Sequence, residues 1–367
     1  MNIQELVAEE FEKMKAEFSS ANVLIAGKTG SGKSTLINAV FHGELAKTGC
    51  GEPVTQDITK FSKFGMPINI YDTKGLELDI YQETLKQLKN HIEKLRQGDS
   101  EEHIHLAWIC IAEDFARIEE GEIKLLDMLN EYKIPVIVVI TKAKKKDPEL
   151  KRKIEEIVGD KVKNIIAVRA IGEETEDDDG QVISASKPMG LKDLIEASYK
   201  LIPEGKRSAF VSAQKISLDL KKAGVGKIIK ITAAAAGVAA TSPIPFSDSA
   251  IIIPIQVAMI VKITILYGIP LGEGAMTALA SSVVGCTAAT TVGRSIVGNL
   301  LKLTGVGMLA GDMINATVAS SLTYALGELY NKIILELYGK ALDAGSTEID
   351  VDDVVNRMQQ EWKIDKI

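Results

Sequence analysis

The amino-acid sequence predicts an α/β domain with a mainly parallel sheet, inserted between an N-terminal helix and an all-α C-terminal domain. Between residues 22 and 202, short apolar runs alternate with charged amphipathic stretches, as expected of strands buried on both faces and connected by helices. After Pro203, long segments rich in Ala, Ile, Val and Gly replace this alternation. The first twenty residues carry one apolar stripe at helical spacing, formed by Val7, Phe11, Met14 and Phe18.

These changes of pattern divide the chain into three predicted segments. Residues 21–202 form the α/β domain and residues 203–367 the helical domain. Residues 1–20 form a helix that we expect to pack with the C-terminal helices, because its stripe has no evident partner in the α/β domain. The runs that predict buried strands are Val23–Ala26, Ile68–Tyr71, Leu106–Ala112 and Ile134–Ile140. Thr59–Phe64 alternates polar and apolar residues and is the predicted edge strand.

The composition excludes several classes of protein. A chain of 367 residues that is 46% hydrophobic is too long and too apolar for a disordered tail or a disulfide mini-protein. Its three widely spaced cysteines favour a reducing compartment, which predicts a cytoplasmic protein. The net charge of −7 argues against a nucleic-acid partner, because neutralising phosphates requires a basic face.

The charge is unevenly distributed along the chain. Residues 231–330 hold only seven charged side chains, whereas the whole chain has 43 basic and 50 acidic residues. Ser249–Pro270 is long enough to cross a bilayer but contains Pro254 and Lys262, and Gly274–Gly293 is uncharged but poor in large apolar residues. We therefore expect a helical core here, with contact to a membrane surface as the alternative.

The strongest motif is a phosphate-binding loop that fits the pattern G-x-x-x-x-G-K-S/T. It lies between an apolar strand and the start of a helix, where its glycines let successive backbone N–H groups point at phosphate oxygens. Lys33 is expected to act as a catalytic cation at the β- and γ-phosphates, and the Ser34 hydroxyl to bind Mg²⁺. The predicted nucleotide-binding residues here are Gly27, Lys28, Thr29, Gly30, Ser31, Gly32, Lys33, Ser34 and Thr35.

Two further segments are expected to meet the metal and the γ-phosphate. Asp72 and Gly75 follow a predicted strand, so the carboxylate of Asp72 can hold Mg²⁺ through water and the N–H of Gly75 can contact the phosphate. Residues 48–55 are interpreted as a Gly-rich loop that brings Thr55 to Mg²⁺. Ser34, Thr55 and Asp72 are thus the metal candidates, and Lys33, Thr55 and Gly75 the catalytic ones.

The base-binding motif is incomplete. Guanine-binding proteins of this type carry Asn/Thr-Lys-x-Asp after a central strand, and Thr141 and Lys142 fit that pattern. Lys144, however, occupies the position of the aspartate, and Asp147 comes three residues later. For the last base-contacting loop, Arg169-Ala170 and residues 184–187 compete, and we prefer Arg169-Ala170 because the preceding strand is longer.

The order of these motifs resembles the translation-factor-related P-loop GTPases, and more closely the immunity-related GTPases and their bacterial relatives. Residues 233–268 resemble the apolar C-terminal domain of those bacterial relatives. The resemblance implies GTP and GDP as substrate and product, Mg²⁺ as cofactor and a guanine nucleotide as partner. It also implies that Lys33 clamps phosphate, that Ser34 and Thr55 bind Mg²⁺, and that Asp72 is an outer-shell ligand.

The residue after Gly75, Leu76, predicts slow hydrolysis of GTP. Small GTPases commonly carry a water-orienting glutamine there, whereas this chain has Leu76. We therefore expect a regulatory GTPase with slow basal hydrolysis, stimulated by formation of a homodimer or larger homo-oligomer and acting in the cytoplasm or at a membrane. Two alternatives stay open: a membrane-associated structural or pore-like protein gated by nucleotide, and a P-loop ATPase, which Lys144 keeps in consideration.

Overall fold

The computed structural model describes most of the chain. The described residues are 2–17, 20–42, 51–55, 58–63, 66–73, 81–176, 182–241, 248–288 and 311–364. By their contacts, they divide into two compact units, Phe18–Ser217 and Met1–Glu17 together with Leu218–Ile367.

The first unit is built on a mixed, mainly parallel sheet, as predicted. Its strand order is β2-β3-β4-β1-β5-β6-β7, in which β4, β1, β5, β6 and β7 are parallel and β2 and β3 are antiparallel. Strands β8 and β9 form a separate hairpin. The strands are β1 (Ala21–Ala26), β2 (Gly51–Thr55), β3 (Ile58–Lys63), β4 (Met66–Thr73), β5 (Leu106–Ala112), β6 (Val136–Thr141), β7 (Asn164–Ala167), β8 (Glu173–Glu176) and β9 (Val182–Ser186).

Twelve described α-helices accompany these strands. Those of the first unit are α2 (Lys33–Val40), α3 (Tyr81–Gln97), α4 (Glu120–Glu131), α5 (Glu149–Val158), α6 (Leu191–Leu201) and α7 (Glu204–Ala213). Those of the second are α1 (Ile3–Glu17), α8 (Leu218–Ala239), α9 (Asp248–Tyr267), α10 (Glu273–Ala288), α11 (Gly311–Asp343) and α12 (Val351–Ile364).

The side of the sheet that carries β2 and β3 differs from the sequence prediction. The segment predicted as the edge strand, Thr59–Phe64, overlaps β3, which lies between β2 and β4. The edge is β2, so Gly51–Thr55 forms a strand instead of the expected loop, whereas residues 48–50 and Phe64 lie outside the described residues. The sequence of β3 alternates although the strand is paired on both sides; Ile58 is buried, and Thr59, Lys60, Phe61 and Ser62 are all half-buried.

The boundary between the units also differs from the predicted one after residue 202. Helix α7 belongs to the first unit because it packs against β1 and β4. Its Phe210 is fully buried and meets Phe41, the residue after α2, edge-on with 6.3 Å between ring centroids. The Phe41 ring in turn stacks on Trp108 of β5 at 5.8 Å. This aromatic cluster holds α7 on the sheet.

The segment after α7 is bonded to the end of α2. The backbone N–H of His42 donates to the carbonyl O of Ala213 at 3.3 Å, and the N–H of Lys215 donates to the carbonyl O of Val40 at 2.9 Å. Residues 213–217 then lead directly into α8. The helix that follows the phosphate loop is therefore hydrogen-bonded to the segment that connects the two units.

The buried side chain of Gln214 shapes that connecting segment. Its Oε1 accepts hydrogen bonds from the backbone N–H groups of Ile216 and Ser217, both at 2.7 Å, and its Nε2 donates to the carbonyl O of Ser217 at 3.0 Å. One side chain thus pairs backbone groups that would otherwise be buried without partners, which would cost free energy.

In the second unit, α1 packs on α9 and α10. Val7 and Met14 of its apolar stripe are buried, and Phe18 lies outside the described residues. The carboxylate of Glu10 pairs with the ammonium of Lys262 at 3.0 Å. Within the described parts of the chain, none of the helices combines the length and apolar character needed to cross a membrane.

Truncating Phe41 should destabilise the first unit. Phe41→Ala removes a fully buried ring from between Trp108 and Phe210 and should lower the free energy of unfolding by about 3–5 kcal/mol. Phe41→Leu keeps part of the volume and should lose less. Urea unfolding followed by Trp108 fluorescence in a Trp362→Phe background measures both, and an unchanged midpoint for the alanine variant would contradict the packing described.

Candidate functional site

The phosphate loop turns sharply at the end of β1. Gly27, Gly30 and Gly32 have φ values of 151°, 76° and 80°, a region that residues with a Cβ rarely adopt. At Gly27 a Cβ would also lie 2.3 Å from the carbonyl O of Cys110 on β5. The glycine pattern therefore has a conformational cause and a steric one, and it leaves the loop wrapped around the N-terminus of α2.

Lys33 is the first residue of α2 and folds back over the loop. Its Nζ donates to the carbonyl O of Gly27 at 2.7 Å and to that of Lys28 at 3.1 Å. The next two residues, Ser34 and Thr35, are exposed in the first turn of the helix. Backbone N–H groups and the helix dipole favour an anion at such a terminus, and a lysine ammonium adds a mobile cation.

Thr141 joins the phosphate loop to the end of β6. Its buried Oγ1 donates to the carbonyl O of Ser31 at 2.5 Å. Thr141 was predicted as part of the base-binding motif, and the structure shows that its side chain contacts the phosphate loop. The threonine thus ties the two ends of the site together, while Lys142, the next residue, is exposed with a φ of 54°.

Three buried polar atoms lie at this edge of the sheet without a hydrogen-bond partner among the described residues. They are Oγ of Ser31, Oδ1 of Asp72 and Oγ1 of Thr73. Asp72 pairs with Ile25 of β1 in the parallel register, one residue before the end of β1. Such atoms cost free energy unless a ligand, ion or water satisfies them, so they fit a site that takes a metal ion and a phosphate group.

The pKa of Asp72 is raised from 3.8 to about 6. Burial of the carboxyl is the main cause, because removal from water disfavours the charged form, and the ammonium of Lys33 acts in the opposite direction. A bound cation would favour the ionised form further. The described residues contain no cluster of three or more His, Cys, Asp or Glu side chains that could hold a metal by themselves.

Of the remaining metal and catalytic candidates, Thr55 lies among the described residues and Gly75 does not. Thr55 is the last residue of β2, and it pairs with Ile58 of β3, which in turn pairs with Thr73 of β4. The backbone of Thr55 is therefore aligned, across β3, with that of Thr73 at the end of β4. Gly75 and Leu76 lie outside the described residues.

At the other end of the site, Arg169 and Ala170 come directly after β7 and Val168. The N–H of Ala143 donates to the carbonyl O of Val168 at 3.1 Å, and Nη1 of Arg169 lies 3.5 Å from the carbonyl O of Ala143. The structure therefore places Arg169-Ala170 beside the Lys142 loop. Of the competing residues 184–187, the first three lie in β9 of the separate hairpin, and the carbonyl O of Lys187 accepts a hydrogen bond from Nε of Arg169 at 2.9 Å.

Sequence reasoning missed an ion pair behind the phosphate loop. The ammonium of Lys28 lies 2.5 Å from a carboxylate oxygen of Glu119. Glu119 and Glu122 together form a capping box at the start of α4. Burial is the main cause that raises the pKa of Glu122 to about 7. The E-x-x-E spacing at a helix start could have indicated the cap, but no sequence signal indicates its pairing with Lys28.

Two family descriptions match the chain. Residues 22–142 match the family described as "50S ribosome-binding GTPase", and residues 211–348 match the domain of unknown function DUF697. The two matches support a P-loop GTPase domain followed by a DUF697 domain, and neither description names the immunity-related GTPases.

Relatives of the GTPase domain match part of the chain. The tRNA modification GTPase MnmE of Treponema denticola is 26% identical over 61% of this chain and 44% of its own length, and the GTPase Era of Clostridium botulinum is 26% identical over 51% and 57%. Magnetosome membrane protein 22 of Magnetospirillum gryphiswaldense is 32% identical over 29% of this chain and 54% of its own. The chain thus spans about half the length of these relatives.

The buried carboxyl of Asp72 should make the stability of the GTPase domain depend on pH. Because its folded pKa of about 6 exceeds the ordinary 3.8, ionised Asp72 destabilises the folded state above pH 6, and this penalty is relieved as the pH falls toward 4. When the pH is lowered from 8 to 4.5, the free energy of unfolding of the wild type should rise by about 2 kcal/mol more than that of Asp72→Asn.

The measurement is urea unfolding of both proteins at the two pH values, without nucleotide or Mg²⁺, followed by Trp108 fluorescence in the Trp362→Phe background. The asparagine variant serves as the isosteric control that cannot titrate. Equal pH dependence of the two proteins would show that Asp72 titrates normally.

Proposed function

We propose that this chain is a regulatory GTPase that binds GTP with Mg²⁺, hydrolyses it slowly and couples its nucleotide state to the helical unit and to self-association. The observation that carries the proposal is the group of unpartnered buried atoms of Ser31 and Asp72 beside the Lys33 ammonium and the turned phosphate loop. Oxygen acceptors, a cation and a helix N-terminus together suit a metal-bound triphosphate.

Each predicted residue has a distinct role in this proposal. Lys33 exchanges the loop carbonyls for the β- and γ-phosphate oxygens, and the loop N–H groups hold the same phosphates. Ser34 and Thr55 supply hydroxyl ligands and Asp72 a carboxylate for Mg²⁺, which neutralises phosphate charge when bound. Gly75 donates its N–H to the γ-phosphate. Lys142, Arg169 and Ala170 contact the base of the nucleotide.

Guanine specificity is supported by the match to GTPases named MnmE and Era. The slow rate is inferred from Leu76, since an apolar side chain cannot orient the attacking water. Dimerisation would then supply the missing group, as the resemblance to immunity-related GTPases implies. The name of one relative concerns tRNA modification, but the charge of −7 still favours a chain without a nucleic-acid partner.

Coupling to the helical unit is proposed to run through the end of α2. That helix starts at the phosphate loop and ends at Val40 and Phe41, which are bonded to the segment that leads into α8. A displacement of α2 on nucleotide binding would therefore move residues 213–217. The proposed domain order is a helix, an inserted GTPase domain and a helical domain, with the boundary after Ser217.

Membrane contact forms the last part of the proposal. Helix α8 exposes Ile231, Ala234, Ala235 and Val238 at i, i+3, i+4 and i+7 spacing, and Ile231 and Val238 are 71% and 73% exposed. The name of Magnetosome membrane protein 22 supports the same idea. We propose that this apolar stripe brings the protein to a membrane surface peripherally.

Nucleotide titration tests the phosphate site. GTP and GDP should bind wild type with Mg²⁺ more tightly than ATP, and Lys33→Ala should weaken GTP binding about 10- to 100-fold because a charged contact to phosphate is lost. Lys153→Ala is the control, since Lys153 pairs with Glu149 on the surface of α5. Equal affinity for GTP and ATP would contradict the guanine assignment, and tight binding by Lys33→Ala would contradict the role of the loop.

Turnover at several protein concentrations tests assembly. The rate of GTP hydrolysis per molecule should rise with protein concentration and rise again when vesicles of zwitterionic lipid, which do not repel an acidic protein, collect it on a surface. Ile231→Glu with Val238→Glu should abolish the effect of vesicles but retain the effect of concentration. A fast rate that is independent of concentration would refute stimulation by dimerisation, and equal vesicle effects in both proteins would refute the role of α8.

A further inference from the structure

The guanine-binding motif of this chain has a lysine where an acid is expected, and the structure shows acids beside that lysine. The backbone N–H of Lys144 donates to Oε2 of Glu113 at 2.6 Å, and Nζ of Lys144 lies 3.2 Å from Oδ1 of Asp114. Both acids belong to the short turn Glu113–Phe115 that follows β5. They are 30 and more residues away along the chain, so the motif alone does not reveal them.

Lysine cannot perform the role of the missing aspartate. The edge of guanine that distinguishes it from adenine presents two kinds of donor, the ring N1–H and the exocyclic N2–H₂, and it therefore requires an acceptor. A lysine ammonium has three donors and no acceptor. A carboxylate has two acceptor oxygens, which suit two parallel N–H groups.

The turn after β5 lies at the base end of the site. Ala112, the last residue of β5, pairs in register with Thr141, the last residue of β6. The turn therefore leaves the same sheet edge as Lys142 does, on neighbouring strands. Asp114 is more than half exposed, so a ligand can reach its carboxylate, whereas Glu113 is engaged with the main chain of Lys144.

We propose that Asp114 reads the donor edge of guanine in place of an acid at position 144. Lys144 acts as a positioning residue: its ammonium holds the Asp114 carboxylate, and Glu113 fixes the main chain of Lys144. A carboxylate there repels adenine, whose ring N1 is an acceptor, and xanthine, which has an oxygen in place of N2. This inference rests on the proposed binding of a guanine nucleotide.

Binding of GTP, ATP and XTP to four proteins tests the inference. Wild type should prefer GTP. Asp114→Ala should lose at least tenfold in GTP affinity but keep its affinity for ATP, because only the guanine edge loses its acceptor. Asp114→Ala with Lys144→Asp should regain the preference for GTP, since the acid returns at the motif position. Asp147→Ala is the matched control, because Asp147 is the nearest acid along the chain and pairs with Lys151.

The outcomes separate the two proposals. If wild type prefers GTP and Asp114→Ala keeps that preference, the role of Asp114 is refuted and guanine binding stands. If wild type binds GTP and ATP equally, guanine binding itself is refuted, and the inference falls with it. A loss of GTP affinity in Asp147→Ala instead of Asp114→Ala would assign the base contact to Asp147. Urea unfolding of each variant confirms that the exposed substitutions leave the fold intact.

Discussion

The hydrogen bond from Thr141 to the carbonyl of Ser31 joins the two halves of the candidate site. At Gly27 the phosphate loop passes close to the carbonyl O of Cys110, and the loops proposed to contact the base begin where β6 and β7 end. Because parallel strands end at one edge, segments far apart in sequence meet there. The Thr141 bond ties the phosphate loop, which leads directly into α2, to the residue that precedes Lys142.

Local patterns predicted the parts of the fold that are determined locally. The apolar runs of β1, β5 and β6 are buried along their whole length, and the glycines of the phosphate loop have the backbone conformations that their spacing implied. The region of β2 and β3 was less predictable because Gly51–Thr55 has little apolar pattern and owes its strand to pairing with β3. Tertiary pairing overrode a weak local signal.

The parts of the site that sequence reasoning missed are contacts between distant residues. Glu119 approaches Lys28, and Asp114 approaches Lys144, only because neighbouring parallel strands carry their loops to one edge. Helix α7 was assigned to the wrong side of the boundary for a similar reason: its Phe210 contacts Phe41 across the fold. Such pairs become visible only once strand order is known.

The helical unit contains polar contacts that its apolar composition did not suggest. Lys221 is fully buried, its Nζ donates to the carbonyl O atoms of Leu266 and Tyr267 at 3.1 and 2.9 Å, and burial lowers the pKa of its ammonium. The hydroxyl of Tyr267 donates to Asn331 at 2.7 Å, which ties α9 to α11. Buried polar pairs restrict how apolar helices can slide, because each shift would leave a group without its partner.

The position of α1 affects the order in which the chain folds during synthesis. Its apolar stripe is covered by α9 and α10, which the ribosome produces only after the whole sheet. At about 5–20 residues per second, this interval lasts tens of seconds. Throughout that time the stripe containing Val7 and Met14 has no native partner, while the GTPase domain can already fold. The nascent chain therefore carries a charged, amphipathic segment whose apolar stripe stays without its native cover until α9 and α10 have been made.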